Sequence, residues 1–461
     1  MVLRFPQYQG PAPVSHRVVW VSALVMIAVF FLSQRWIKSK VIDADVVSYY
    51  SYLPAVFVHQ DITMSYSLGD EFYADKVWGV IWKDGFGPVQ KYTMGMAIMY
   101  LPWFLAGHAT AYLVGAPPDG YSLPYRFFLQ ISAVGFLFLG FFFLRKVLLT
   151  YFSDRITAAV LVILLLGTNM FYYTMGQAAM PHVPLFALIS VWLWLIIRFY
   201  SNPIWKWALW LGLIGSLVTL IRPNHLLLWL LPLLYGVYSG ATLRKRVQFI
   251  AQHFGKYLSW ALIGFLLVLP QLLYWHHLTD RWIYYSYGDE GFFFNNPQVG
   301  RVLFSFRNGW LIYSPIMVLG VVGLGAMWLR LREWALPVTL SFTLGFYVIA
   351  SWWCWWYGGS FGQRVLIDFY PLLAIGIGIV LTGIDRWVRQ RGVRRIVLGA
   401  AAFLLALNLF QTLQYTRFVI HYDAMTAEAY WASFGRLHVP ENYADKLRPP
   451  DYEAALRGIY E

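Results

Sequence analysis

Apolar residues in this chain gather into separate runs of helix-spanning length, parted by short polar or basic stretches. The runs lie near 17–34, 93–114, 124–144, 156–173, 183–200, 205–221, 224–239, 257–274, 310–330, 334–351, 366–384 and 395–414. An α-helix needs roughly twenty apolar residues to cross the hydrocarbon core of a bilayer, whereas barrel strands alternate apolar and polar positions. The pattern therefore predicts an all-α, polytopic transmembrane bundle. One run is expected to differ: 93–114 contains Pro102 and His108, which suit a juxtamembrane or re-entrant helix.

Loops carrying Arg145, Lys146 and Arg155, then Arg198 and Lys206, then Arg244, Lys245 and Arg246, then Arg330 and Arg332, and then Arg386, Arg389, Arg391, Arg394 and Arg395 alternate with loops poorer in basic residues. Lys and Arg accumulate on the cytoplasmic side, so this alternation sets the orientation. It predicts about eleven spans plus juxtamembrane helices, with both the first outer loop (35–92) and the C-terminus outside. The N-terminal run lacks a small-residue cleavage site and is expected to stay as the first span. The division expected is one membrane domain, 1–414, with outer loop 275–309, followed by a short extracytoplasmic tail, 415–461. No internal repeat or inverted halves stand out, which weighs against a transporter architecture.

Composition agrees with this reading. The 461 residues are 59% hydrophobic and only 12% charged, against about a quarter charged in soluble domains. The net charge of +13 resides in the topological loops and does not indicate nucleic-acid binding. The single cysteine, Cys354, excludes an intramolecular disulfide. The basic loops hold no glycine-rich phosphate loop and no metal-spaced Cys/His cluster.

Candidate chemistry collects in the outer loops. Asp43 and Asp45 follow the first span, and a helix starting near Asp45 would place Tyr49 on the same face. Such acids are either solvated flank residues or a site set against the bilayer; Asp45 with aromatics beside it suits a general base acting on a hydroxyl. Lys91 either snorkels or binds a lipid phosphate, and Arg222, in Ile221-Arg-Pro-Asn-His225, is either a loop arginine or an anion ligand. Arg364 follows the glycine-bearing Tyr357–Gly362 turn, and a guanidinium matches phosphate oxygens in bidentate fashion. His182 stands open as a ligand, a base or an interface residue. Tyr284, Tyr285, Tyr287, Asp289 and Glu290 form a polar aromatic patch suited to a sugar or to the membrane interface. His276 and His277 read as part of an aromatic belt.

These pieces, in this order, resemble the GT-C class of polytopic glycosyltransferases, including lipid A aminoarabinose transferases and protein O-mannosyltransferases. Asp45 with Tyr49 four residues on matches that class's first-loop acid, Lys91 matches its lysine opening a juxtamembrane segment, and Gln363-Arg-Val-Leu-Ile-Asp-Phe-Tyr-Pro371 is similar to its Arg-aromatic run. A departure lies at His182, six residues after Gly176, where aminoarabinose transferases carry an acid. The resemblance implies a hexosyl- or pentosyltransferase of a bacterial cytoplasmic membrane with a periplasmic active site. It would move a sugar from a polyprenyl-phosphate donor to an acceptor glycan, lipid or protein. Asp45, with Asp43, would be catalytic; Arg364, Arg222 and Lys91 would hold the donor phosphate; His182, His225, Tyr49, Tyr284 and Tyr285 would line the substrate site. One histidine is a poor substitute for the oxygen ligands of a hard cation, so no metal or other cofactor is expected, a divalent cation being the less favoured alternative. Asp45, His182, His225 and Arg364 are expected to line one cavity. The alternative function is a transporter or flippase for a lipid-linked or anionic substrate.

Overall fold

A computed structural model describes residues 10–38, 41–68, 72, 80–82, 88–387 and 391–460. Parts of the 35–92 loop therefore lie outside the described residues. Among the described residues eight helices are long and apolar enough to cross a membrane: Pro13–Ser33, Gly95–Val114, Leu123–Leu149, His182–Ser201, Phe254–Thr279, Arg332–Ala350, Arg364–Asp385 and Gly392–Thr416. Trp205–Ile221, Pro223–Leu234 and Pro315–Arg330 are shorter apolar helices. The only sheet among the described residues is one antiparallel pair, Val80–Trp82 with Pro88–Gln90. The protein is an all-α helical membrane protein.

Local sequence marks the helix ends. Proline opens Pro13–Ser33, where its missing N–H costs nothing, and Gly115 closes Gly95–Val114 at φ 67°, a conformation glycine adopts freely. Small residues bring helices together where lipid gives no hydrophobic driving force. A side chain on Gly323 would meet the Gly376 backbone at 2.4 Å, so Val318–Arg330 and Tyr370–Trp387 touch backbone to backbone there.

The bundle has two distinct ends. At one, Asp154 accepts from the Val14 and Ser15 amides at 2.8 and 2.9 Å, and Arg145 donates to Ser15 Oγ and the Ala12 carbonyl. Arg246 also belongs to this end; it donates to the Tyr235 carbonyl while its guanidinium stacks on Tyr200. This end thus carries the basic loops. The first helix leaves it and reaches the other end at Arg35, which donates to the Gly176 carbonyl at 2.9 Å. There the loops around Asp45, Gly176, Arg222, Glu290 and Arg364 converge.

Gly95–Val114 meets the length and composition of a span, yet both of its ends are tied to that second end. Thr93 donates to the Leu220 carbonyl and the Met94 amide to Gln271 Oε1 at 2.8 Å. Thirteen residues into the helix, Gly107 packs against Tyr125, at the start of Leu123–Leu149. The loop that follows closes back on the segment after the first helix, with Tyr50 donating to the Gly120 carbonyl at 2.5 Å.

The C-terminal residues differ from the simple tail expected. They carry short helices, Ala427–Ser433, Tyr443–Lys446 and Tyr452–Leu456, and pack onto the loops. The Tyr422 carbonyl accepts from the Ser360 amide and from Asn308, and Tyr460 donates to the Trp353 carbonyl. Polar groups at the ends of consecutive helices need partners, and this segment supplies them.

Candidate active site

Asp45 begins the short helix Asp45–Tyr50. The residue before it, Ala44, sits at φ 49°, ψ −134°, a region that a Cβ makes unfavourable, and its amide donates to Asp43 Oδ1 at 3.0 Å. The chain is thus strained at the step that aims Asp45. Both Asp45 oxygens are engaged: Oδ2 accepts from Arg364 Nη2 at 2.7 Å and Oδ1 from the Tyr92 hydroxyl at 2.9 Å. Tyr92 stacks on Tyr49 with centroids 4.1 Å apart, and Tyr287 meets Tyr92 edge-on at 5.7 Å. Asp45 and Tyr49 therefore share one face, with Tyr92 wedged between them.

Burial by itself would raise the Asp45 carboxyl, but the Arg364 guanidinium, the Tyr92 hydroxyl and the charges of Lys91 and Arg222 together hold it below the ordinary carboxylate value. Burial pushes the Tyr49 phenol up to about 12 and Tyr92 well above its ordinary value. The site thus presents an ionised carboxylate beside protonated phenols, of which Tyr92 donates to Asp45.

Arg364 is the first residue of the 3-10 turn Arg364–Phe369. The loop leading to it is braced by amide side chains. Asn169 donates to the Phe361 carbonyl at 3.0 Å, Asn308 to the Trp356 carbonyl at 3.1 Å, and Gln363 to the Trp355 carbonyl at 3.0 Å. Gly358 and Gly362 take φ of 63° and 61°, which only glycine adopts without penalty.

Four residues on, Asp368 is fully buried and accepts from His182 Nδ1 at 3.0 Å on one oxygen and from His225 Nε2 at 3.0 Å on the other. Arg222 Nε lies 3.8 Å from the same Oδ2. Asp368 was visible in the sequence only as one letter of the run after Arg364. Its signal was an acid within an apolar stretch, which in a membrane protein points to a partnered, functional group.

The three predicted phosphate ligands are in different states. Arg364 is committed to Asp45. Lys91 pairs with Glu290 at 2.5 Å, and the Lys91 carbonyl accepts from Ser286 Oγ, so the 285–290 loop is clasped onto the segment that leads into Gly95–Val114. The Arg222 side chain, only 17% exposed, makes no hydrogen bond among the described residues and has the 3.8 Å contact with Asp368 as its ion pair. It is the cation left to meet an anion.

A cavity of about 300 Å³ opens beside Asp45 and is lined by Asp43, Asp45, Gln130, Gln177, Gly358 and Arg364 among others. The expectation that His182 and His225 would share it fails. Both rings turn inward to Asp368, because a buried carboxylate needs hydrogen-bond donors more than the cavity needs imidazoles. The 284–287 stretch divides its tyrosines among three settings. Tyr284 is buried and Tyr285 is exposed with its hydroxyl on the Glu290 carbonyl, while Tyr287 is the residue of that loop that reaches Tyr92. Among the described residues no group of three or more His, Cys, Asp or Glu is arranged to hold a metal ion.

The site defines a class: a helical membrane protein with an ionised carboxylate and two arginines gathered at one end of the bundle. Neither protein-family models nor curated proteins gave a match to this chain.

Proposed function

We propose that this protein is a membrane glycosyltransferase of GT-C type, moving one sugar from a polyprenyl-phosphate donor to an acceptor hydroxyl at the outer face of a bacterial cytoplasmic membrane. The observation that carries the reading is Asp45 at the cavity edge, kept ionised by Arg364, with the charge of Arg222, whose side chain makes no hydrogen bond, also felt at Asp45. The strained Ala44 step adds support, since such strain persists where surrounding structure enforces it and is common at active sites.

The chemistry follows from these parts. The acceptor oxygen bonds to the anomeric carbon and then gives up its proton to Asp45. The bond from the anomeric carbon to the phosphate oxygen breaks, and its electron pair leaves with polyprenyl phosphate. Arg222 offsets the charge that grows on that phosphate, and Arg364 fixes the base. A carboxylate with a depressed pKa is a weak base, so it suits a late proton transfer, after the new carbon–oxygen bond has acidified the acceptor hydroxyl. The polyprenyl tail would remain in hydrocarbon beside Gly95–Val114 while its phosphate stays at the interface.

The test uses the full-length protein in detergent with a polyprenyl-phosphate sugar. Asp45→Asn is expected to lower turnover by about 10²- to 10⁴-fold with the melting temperature retained; unchanged turnover removes Asp45 from the mechanism. Wild-type protein that neither transfers nor hydrolyses the donor, but moves a lipid-linked or anionic substrate across sealed vesicles, would make it a transporter.

A further inference from the structure

We propose that Asp368 is the positioning residue of the phosphate site, a buried carboxylate that holds Arg222 in place without using its hydrogen-bond donors. The identity of the anion rests on the transferase reading above; the positioning itself rests on geometry. Asp368 ties together three separate segments. His182 is the first residue of His182–Ser201, His225 lies in the 3-10 turn Pro223–Trp229, and Arg222 immediately precedes that turn. Asp368 itself belongs to the turn that opens with Arg364. One carboxylate therefore fixes the relative placement of the two segments that carry the site's arginines.

The contacts are unequal in an informative way. The imidazoles take both short bonds, one on each oxygen, at 3.0 Å. They orient the carboxylate and leave Arg222 a contact of 3.8 Å. That is close enough for attraction and too long for a hydrogen bond. Had Arg222 formed the usual fork with the carboxylate, two of its five N–H donors would be consumed. Instead its guanidinium stays free of hydrogen bonds, in electrostatic reach of Tyr49, Tyr357 and Tyr287, and its charge is felt at Asp45. A cation cradled by these two histidines would face the guanidinium, which disfavours a metal here. Stability gives no reason for the group, because an apolar cluster of equal volume would serve a bundle core as well or better.

The test measures binding, not turnover, with undecaprenyl phosphate as probe and undecaprenol as its uncharged control, on full-length protein in detergent. Wild-type protein is expected to prefer the phosphate. Arg222→Gln and Asp368→Asn should each weaken phosphate binding about tenfold and leave undecaprenol binding unchanged. The double variant should be no weaker than Arg222→Gln alone, because Asp368 acts through Arg222. His225→Gln, which keeps a side-chain donor, should restore most of the affinity lost in His225→Leu. If Asp368→Asn does not fold, the histidine pair decides the question through the same phosphate-to-alcohol ratio.

Additive losses in the double variant, equal losses of phosphate and alcohol binding, or a wild-type protein indifferent to the phosphate would each overturn the proposal. Failure of the transferase reading looks different. Phosphate binding that depends on Arg222 and Asp368, in a protein that transfers no sugar, would sink the enzyme and leave this site standing.

Discussion

Asp45 and Arg364 meet in a 2.7 Å ion pair across 319 positions of sequence. The pair joins the Asp45–Tyr50 helix to the turn that opens the Arg364–Asp385 segment. With the Asp45 side chain 30% exposed and that of Arg364 13% exposed, solvent screens part of their attraction. The pair therefore matters more for keeping a carboxylate ionised at a cavity edge than for holding the bundle together.

The acid limb of activity should report this pair. Asp45 sits below its ordinary value of 3.8 in the folded protein. Its contribution to stability is then present above that value and is lost as pH falls through the lower, folded one. Arg364→Gln removes the foremost charge opposing burial, so the Asp45 carboxyl should rise and the acid limb of kcat/KM should move to higher pH. A limb that stays in place would separate the guanidinium from the titration of Asp45.

Freeing Lys91 should strengthen anion binding. Glu290 occupies its ammonium at 2.5 Å, so Glu290→Gln leaves a cation near Asp45. Binding of undecaprenyl phosphate is expected to tighten a few-fold at low salt and to lose that gain at high salt, since exposed charges are screened. Weaker or unchanged binding would show that Lys91 serves only to clasp the loop.

Relief of strain at Ala44 should trade activity for stability. Glycine adopts φ 49°, ψ −134° without a Cβ penalty, and Ala44→Gly is expected to stabilise the fold by about 1 kcal/mol, net of the looser unfolded chain. Turnover should fall as Asp45 loses its fixed aim. Melting temperature and kcat measured on the same preparation check both halves.

Gly95 marks where the Gly95–Val114 helix presses on the segment that carries Arg222. A Cβ there would lie 2.6 Å from the Ile221 amide nitrogen and 2.7 Å from its Cα, and backbone cannot yield as a side-chain tip can. Gly95→Ala should cost about 1–3 kcal/mol and weaken phosphate binding, because Arg222 is the next residue. A variant of wild-type stability would mean that the two segments part freely.

The sequence by itself determined the class of fold. Apolar runs too long for core strands and too poor in charge for soluble helices leave a helical bundle in a bilayer as the physical solution, and the alternation of basic loops sorted the chain into two ends before any contact was known. It also pointed to Asp45 and Arg364, because charged groups flanking hydrocarbon stand out against an apolar background. Tertiary structure alone decided how those groups pair. Nothing local tells Asp368 that its partners lie 186 and 143 positions away in His182 and His225, or tells Lys91 that Glu290 will reach it across 199. Such pairings come from helix packing, which brings distant loops to one end and sets their charged groups against one another. That packing set His182 and His225 on Asp368, placed Tyr92 against Asp45 and Tyr287 against Tyr92, and left Arg222 with a 3.8 Å contact to Asp368 and no side-chain hydrogen bond.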